Sequence, residues 1–220
     1  MSQNIEKVAV LGAGTMGAQI AGHLANAGIP SCLFDISQEL AEKGVEILTT
    51  LKPAPLYKPK NASLIEACNY DEHLDKVKDA DWIVEAVAEN LDIKHKVYNN
   101  IADYIKNTAI ISSNTSGIPL GDLTQVMSDD VKSRFLITHF FNPPRYMRLL
   151  ELVKGPDTSD DIYNDMAIFG ENVLGKGIVH AKDTPNFIGN RIGVHGGNNA
   201  IRLAIKMGLT CEEVDFFFMV

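Results

Sequence analysis

The chain has 220 residues, 45% hydrophobic and 22% charged, which suits one large domain or one domain with a small appendage, and its formal charge of −8 argues against general affinity for nucleic acid or anionic membrane. The opening MSQNIEKVAVLGAG has no secretory signature, and no apolar run approaches a membrane span. Cys32, Cys68 and Cys211 are odd in number and widely spaced, so the expectation is a reducing compartment, most simply the cytoplasm, and no metal site.

KVAVLGAG (7–14) reads as a short buried strand running into glycines, and TMGAQIAGHLANAG (15–28) as an alanine-rich helix able to lie close to a sheet. PSCLFD (30–35) is a second strand, ending on an acid. A helical stretch from Gln38 to Leu51 follows, broken by KPAPLYKPK (52–60), where three prolines forbid regular structure. The charged YDEHLDKVKDAD (70–81) reads as a solvated helix face. WIVEAV (82–87), AIISSN (109–114) and FLITHF (135–140) are further strands, separated by helices near 91–106 and 119–127. LLELV (149–153) and GIVHA (177–181) are late strands flanking a helix near 159–174. From Thr184 the pattern is helical only. One long helix runs from Pro185 to Met207, and a second starts with Thr210 as cap and Glu213 as its capping-box partner, leading into an apolar run from Phe216 to Val220. The β-α-β alternation predicts an α/β, doubly wound, mostly parallel sheet over residues 1–183, followed by the start of an all-α region, 184–220.

Gly12, Gly14 and Gly17 form G-x-G-x-x-G between the first strand and the first helix. The first glycine permits a tight turn, the second lets a pyrophosphate approach the backbone, and the third lets helix and strand pack closely. Free N–H groups at the helix start would meet the phosphate charge. Asp35 ends the second strand, where an acid can bind the adenosine ribose hydroxyls, and no arginine follows it in ISQEL. The combination points to a Rossmann-type fold and to NAD rather than NADP, with the whole turn, Gly12, Ala13, Gly14, Thr15, Met16 and Gly17, against the cofactor. A purely structural glycine turn with a solvated Asp35 is the plainer alternative.

In HFFNPPRYMRLLE (139–151) a histidine ends an apolar strand and a glutamate interrupts the next one. On pattern alone such a histidine is as readily packed and hydrogen-bonded as catalytic. Its position changes the balance, because active sites of open parallel sheets lie at the carboxyl ends of the strands. SSNTSG (112–117) ends another strand at that edge, with hydroxyls and an amide that could face a nicotinamide or a substrate oxygen. Of the remaining histidines, His23 reads as packed on the first helix, while His73, His95, His180 and His195 have no partner at ligand spacing. Glu85 either supports the cofactor site or only caps a strand end.

GAGTMG, VEAVAEN, SSNTSG, HFFNPPRYMRLLE and KDTPNFIGNR occur together in one order, and in this the chain resembles the L-3-hydroxyacyl-CoA dehydrogenases of fatty-acid β-oxidation, from about residue 6 to its end. KPAPLY and FFNPPRYM resemble in particular the dehydrogenase part of multidomain members. The resemblance implies that His139 is the catalytic base and Glu151 the acid paired with it. It places Ser116 and Asn190 beside the reacting oxygen, and Glu89, Lys94, Ser116 and Asn142 along the NAD site. Asn186 replaces the glycine usual after TP, a substitution that asparagine's tolerance of a left-handed backbone makes acceptable. Lys52, Lys58 and Lys60 are candidates for the coenzyme A phosphates. The implied partners are an acyl-CoA thioester and a second copy of the chain through the C-terminal helices, with neither nucleic acid nor membrane. The family continues through a helical domain beyond this point, so a truncated C-terminal domain is expected.

The chemistry fits those residues. Oxidising a secondary alcohol removes a proton from the hydroxyl as hydride leaves its carbon, and an imidazole with an unperturbed pKa of ~6.5 suits that work. A carboxylate beside it orients the ring and stabilises the imidazolium. Two alternatives stay open: a dehydrogenase of a free 3-hydroxy acid, and an NAD-binding module with little or no turnover. Sequence alone ranks Glu151→Gln as milder than His139→Gln, since the imidazole would stay near its place.

Overall fold

The computed structural model describes residues 4–218. Eight strands form one sheet: β1 (Val8–Leu11), β2 (Ser31–Asp35), β3 (Ile65–Asn69), β4 (Trp82–Glu85), β5 (Ile110–Ser113), β6 (Phe135–Phe140), β7 (Leu149–Lys154) and β8 (Gly177–Ala181). Their order is β3-β2-β1-β4-β5-β6-β7-β8, and every pairing is parallel except β6 with β7. The order reverses between β1 and β4, which opens the crevice where such sheets bind ligands.

Strand alternation explains why both faces are covered. Val8 and Val10 of β1 and Trp82 and Val84 of β4 join one core, with Ile20 and Leu24 of α1 (Thr15–Asn26) and Met166 and Phe169 of α6 (Asp160–Asn172). Ala9, Leu11 and Ile83 point the other way, into a core with Val97, Tyr98 and Ile101 of α3 (Leu91–Ile101) and Leu120 and Leu123 of α4 (Leu120–Leu123). Between these lie α2 (Gln38–Ile47), capped by the Ser37 side chain, and the short α5 (Asp129–Ser133), capped by Ser128. The chain closes with α7 (Gly189–Met207) and α8 (Cys211–Phe218). At α8, Thr210 and Glu213 exchange backbone-to-side-chain hydrogen bonds, so the expected capping box is formed.

Several expectations need correction. Residues 65–69 form edge strand β3, which the sequence reading lacks. Within 70–81 the regular element is a 3-10 helix, Leu74–Asp79, with Val77 buried. Pro59 does not end regular structure but starts a 3-10 helix, Pro59–Leu64, where its missing N–H costs nothing. The helix expected to reach 106 stops at Ile101, and the long C-terminal helix begins at Gly189 rather than Pro185. Among the described residues, no helix is long and apolar enough to cross a membrane.

His23 is packed, as expected for its helix. Its Nε2 donates to the Leu174 carbonyl at 3.0 Å, and burial, aided by the nearby Lys176 ammonium, lowers its pKa to about 4. Unfolded His23 takes up a proton near 6.5, whereas the folded residue stays neutral until about 4. In that window the unfolded state binds more protons, so stability falls as pH drops, by roughly 3 kcal/mol when complete. His23→Gln is expected to flatten this part of the acid slope in denaturant melts at pH 7 and 4.5. An unchanged slope would assign the proton uptake to other groups.

Candidate active site

The carboxyl ends of β1, β2, β4, β5 and β6 share one edge of the sheet, and the glycine turn, Asp35, Ser116 and His139 end or follow those strands. Lys58 and Lys60 lie instead at the start of the 3-10 helix before β3, beside Asn26 at the end of α1. Gly12 has φ +105°, and a Cβ on it would come within 2.8 Å of the Ala86 carbonyl. A Cβ on Gly17 would meet the Gly12 oxygen at 1.8 Å, whereas one on Gly14 would meet nothing within 4 Å. The turn is thus closed toward the protein and open toward solvent. Helix α1 starts without a side-chain cap and without an acid in its first turn, so its leading N–H groups are available to an anion. Asp35 Oδ2 accepts from Ala13 N–H at 2.8 Å and Oδ1 from Ile36 N–H at 2.7 Å, fixing the carboxylate against the turn. Beside the turn, Ala13, Gly14, Thr15, Lys43, Gly44 and Leu51 help line a cleft of about 250 Å³. That cleft flanks the turn on the α2 side and does not include His139.

At the end of β4, Glu85 is 0% exposed and fully partnered. Its Oε1 accepts from Lys94 Nζ at 2.7 Å and Val87 N–H at 2.8 Å, and its Oε2 accepts from Tyr98 at 2.8 Å and Ser113 at 2.6 Å. Lys94, 1% exposed, also reaches Glu89 at 3.3 Å. Glu89 in turn accepts from the Thr115 hydroxyl and from Ser116 N–H at 2.8 Å. Partial burial pushes the Glu89 carboxyl up, but those hydrogen bonds and the Lys94 charge outweigh it and hold the group below its ordinary range. Burial, with the Glu85 charge, holds Tyr98 well above the usual phenol range, so it remains a donor. A carboxylate with four donors makes a rigid joint between β4, α3 and β5, and removing one partner of such a buried pair typically costs ~3–5 kcal/mol.

The antiparallel pairing of β6 and β7 sets His139 directly opposite Glu151. Cross-strand neighbours of this kind stand ~4.5–5.5 Å apart at Cβ, within reach of a side-chain hydrogen bond. His139 Nδ1 lies 2.8 Å from Glu151 Oε2, and the two residues are 4% and 0% exposed. Glu151 is an interior-strand residue, since β8 covers the far side of β7. Its second oxygen accepts from Ile188 N–H at 2.9 Å and Gly189 N–H at 2.7 Å, at the start of α7. A carboxylate only accepts, so in the neutral imidazole the proton sits on Nδ1 and Nε2 keeps its lone pair. Among the described residues Nε2 has no hydrogen-bond partner. The ring packs against Phe141 and Phe187 at centroid distances of 4.6 and 5.5 Å. Asn186 and Phe187 both have positive φ, 62° and 44°. The asparagine takes this at little cost. For phenylalanine it is strained, and its burial against the imidazole is what holds it.

The family described as 3-hydroxyacyl-CoA dehydrogenase, NAD binding domain, matches residues 7–184. The chain belongs to this family. A probable 3-hydroxyacyl-CoA dehydrogenase of Bacillus subtilis is 46% identical over 98% of this chain and 30% of its own length. One of Deinococcus radiodurans, also named a probable 3-hydroxyacyl-CoA dehydrogenase, is 46% identical over 96% of the chain and 63% of its own length. The chain therefore spans less than two thirds of either relative. The crystal structure of (S)-3-hydroxybutyryl-CoA dehydrogenase from Ralstonia eutropha superposes with a TM-score of 0.83 at 32% identity, covering 96% of this chain and 75% of that one.

NAD is the cofactor of this dehydrogenase domain, and the residues present fit it. The turn that a Cβ would fill at Gly12 and Gly17, the uncapped start of α1 and the fixed Asp35 carboxylate would hold its pyrophosphate and ribose. Asp35→Ala is expected to weaken NAD binding and to narrow the preference over NADP, because both the ribose acceptor and the repulsion of a 2′-phosphate disappear. Calorimetric titration of both cofactors checks this; an unchanged affinity ratio would contradict it.

Sequence reasoning left Glu85 undecided, set the Asn114 amide toward a nicotinamide or substrate oxygen, and passed over Gln19 and Lys176. Gln19 of α1 donates to Asn142 Oδ1 at 3.0 Å, tying the cofactor helix to the turn after His139. Asn114 Oδ1 accepts from Phe140 N–H at 2.9 Å. Lys176 is 4% exposed and donates to the carbonyls of Pro144 and Met147, with its ammonium 5.3 Å from the Phe140 ring centroid. Burial lowers its pKa to about 8. Lys176 lies in a loop, where no periodicity marks it. Ser116 and Asn190 sit at the same edge, and their side chains form no hydrogen bond among the described residues.

Proposed function

We propose that this chain uses NAD to interconvert (S)-3-hydroxyacyl-CoA and 3-oxoacyl-CoA in fatty-acid β-oxidation. The observation that carries the reading is the buried His139–Glu151 pair, with Nε2 unpartnered at the sheet edge that also holds the glycine turn. When bound, NAD takes up the hydride from the alcohol carbon. His139 Nε2 accepts the hydroxyl proton, and Glu151 stabilises the imidazolium that forms at Nδ1. Phe141 and Phe187 keep water from the ring, which strengthens that ion pair. Ser116 and Asn190, with free side chains, are the donors assigned to the reacting oxygen. Glu89, Lys94 and Asn142 shape the ribose and nicotinamide end of the cofactor site. The cytoplasm is the setting assigned, in keeping with the reducing conditions that three unpaired cysteines favour.

The test is NADH absorbance with acetoacetyl-CoA and, separately, with free acetoacetate. Consumption with the thioester and little with the free acid is the expected result. Equal turnover of acetoacetate would shift the assignment to a free-acid dehydrogenase. NADH binding without turnover of either would leave a binding module and overturn the proposal.

The division into a cofactor domain, 1–183, and a helical unit, 184–220, belongs to the same reading. No residue of α7 is buried, and Ile192, Val194, Ile201, Leu203, Ile205 and Met207 are 48–75% exposed. Covering such side chains is worth ~1.5–3 kcal/mol each when complete. Phe216, which opens the apolar run expected at 216–220, is 65% exposed, and Met219 and Val220 lie outside the described residues. The chain is therefore expected to self-associate through residues 190–220 in light scattering. A monomer at every concentration would contradict that role for the helices.

A further inference from the structure

Cys32 and Cys68 are distant in sequence but neighbours in the fold. They sit on adjacent parallel strands, in a register that sets Cys32 opposite Glu66 and Phe34 opposite Cys68. Cys32, Glu66 and Cys68 therefore share one face of the sheet. The two sulfurs and a Glu66 carboxylate oxygen all lie within 4.8 Å of one another. Cys32 and Cys68 are 2% and 0% exposed, whereas the Glu66 side chain is 57% exposed on edge strand β3.

We propose that Cys32, Cys68 and Glu66 form a site for one thiophilic divalent cation of the zinc class, with a fourth position open to water. Register favours this over a disulfide. Two residues of rise along the strand and one strand spacing across put the Cys32 and Cys68 Cα atoms ~8 Å apart. A disulfide needs ~4.4–6.8 Å. A sulfur–metal–sulfur bridge spans the longer gap, since Zn–S bonds of ~2.3 Å at a tetrahedral centre set the sulfurs ~3.8 Å apart. The donor set of two thiolates and one carboxylate, with water completing the tetrahedron, is one that zinc accepts.

The charges around the site also suit it. The Glu66 carboxylate is paired with Lys76, and Lys7 lies close enough to act on both Cys32 and Glu66. The Cys32 S–H donates to Glu66 Oε2 at 3.9 Å and the Cys68 S–H to the Glu66 carbonyl at 3.7 Å, so both thiols already face the residue that supplies the carboxylate ligand. A cation would displace both thiol protons, from Cys32 and Cys68, to solvent and Lys76 from Glu66. Two thiolates, one carboxylate and a divalent ion then leave a single negative charge beside two ammonium groups. The cation reaches the sulfurs from the Glu66 side, where the edge of the sheet is open. Occupancy would pin β2 to β3 three residues before Asp35, so its expected consequence is stiffening of that strand end and a higher melting temperature.

The test is cadmium titration of the reduced chain in a Cys211→Ser background, which removes the one exposed thiol. One equivalent should raise the ultraviolet thiolate-to-cadmium absorption and the melting temperature together. Cys32→Ser and Cys68→Ser should each lose the absorption at one equivalent. Glu66→Gln, a change at an exposed side chain that leaves the fold intact, should weaken binding without removing the band. No band in the reduced background chain, a band retained in both serine variants, or cadmium affinity unaltered in Glu66→Gln would each overturn the three-ligand site. Oxidation to a Cys32–Cys68 disulfide without loss of structure, read by mass, would overturn the distance argument on which it rests.

Discussion

His139→Gln is expected to lower turnover ~10²–10⁴-fold, the worth of a positioned general base, while NAD affinity stays within a few-fold. Glutamine is a fair isostere for the packing. Its amide can donate to Glu151 as Nδ1–H does, and its length lets it fill the space beside Phe141 and Phe187. What it lacks is a nitrogen lone pair that can accept a proton. The glycine turn and Asp35 belong to other strands, so cofactor binding has no reason to change. Steady-state kinetics with acetoacetyl-CoA, paired with NADH titration, reads the two quantities apart. Near-normal turnover in the variant would make His139 a packing residue.

Glu151→Gln is expected to cost about as much, which departs from the milder effect that sequence alone suggests. The reason is the pair of backbone amides at Ile188 and Gly189, both donating to Glu151 Oε1. In the variant the glutamine oxygen must face those two N–H groups, or leave buried donors unpaired at ~1–3 kcal/mol each. Its NH2 then faces His139 Nδ1, which can accept only if the ring proton moves to Nε2. The lone pair needed by the substrate hydroxyl is lost from the open side of the ring. The same swap of a carboxylate for its amide in a hydrolase triad costs roughly 10⁴ in turnover through the wrong tautomer. A decrease of only a few-fold would show that the imidazole can reorient freely, against the packing seen.

The glycine turn, the acid ending β2 and the strand alternation were legible because each is local: spacing and periodicity along one segment carry them. The pairing of His139 with Glu151 was legible only through resemblance. The connection 141–148 is too short for a parallel crossover between neighbouring strands, but spacing alone does not fix the register that puts the two residues opposite each other. Glu85 shows the same limit. An acid closing the apolar WIVE strand is the signal that also marks Glu151, yet its partners Lys94, Tyr98 and Ser113 come from later elements. Edge strand β3 was missed because IEACN is short, carries an exposed glutamate and follows a 3-10 helix with no glycine between them. Its strand character comes from pairing with β2, a tertiary effect that local propensity does not register. The closeness of Cys32 and Cys68 was hidden for the same reason.

In the function proposed, the buried Glu151 carboxylate holds His139 as a base with its Nε2 lone pair turned to the substrate. The most direct measurement is nitrogen-15 NMR of the His139 ring in the wild-type chain and in Glu151→Gln, near neutral pH. The expected result is that the neutral form of the ring carries its proton at Nδ1 in the wild type and at Nε2 in the variant. The same tautomer in both, or a wild-type ring protonated at Nε2, would contradict it.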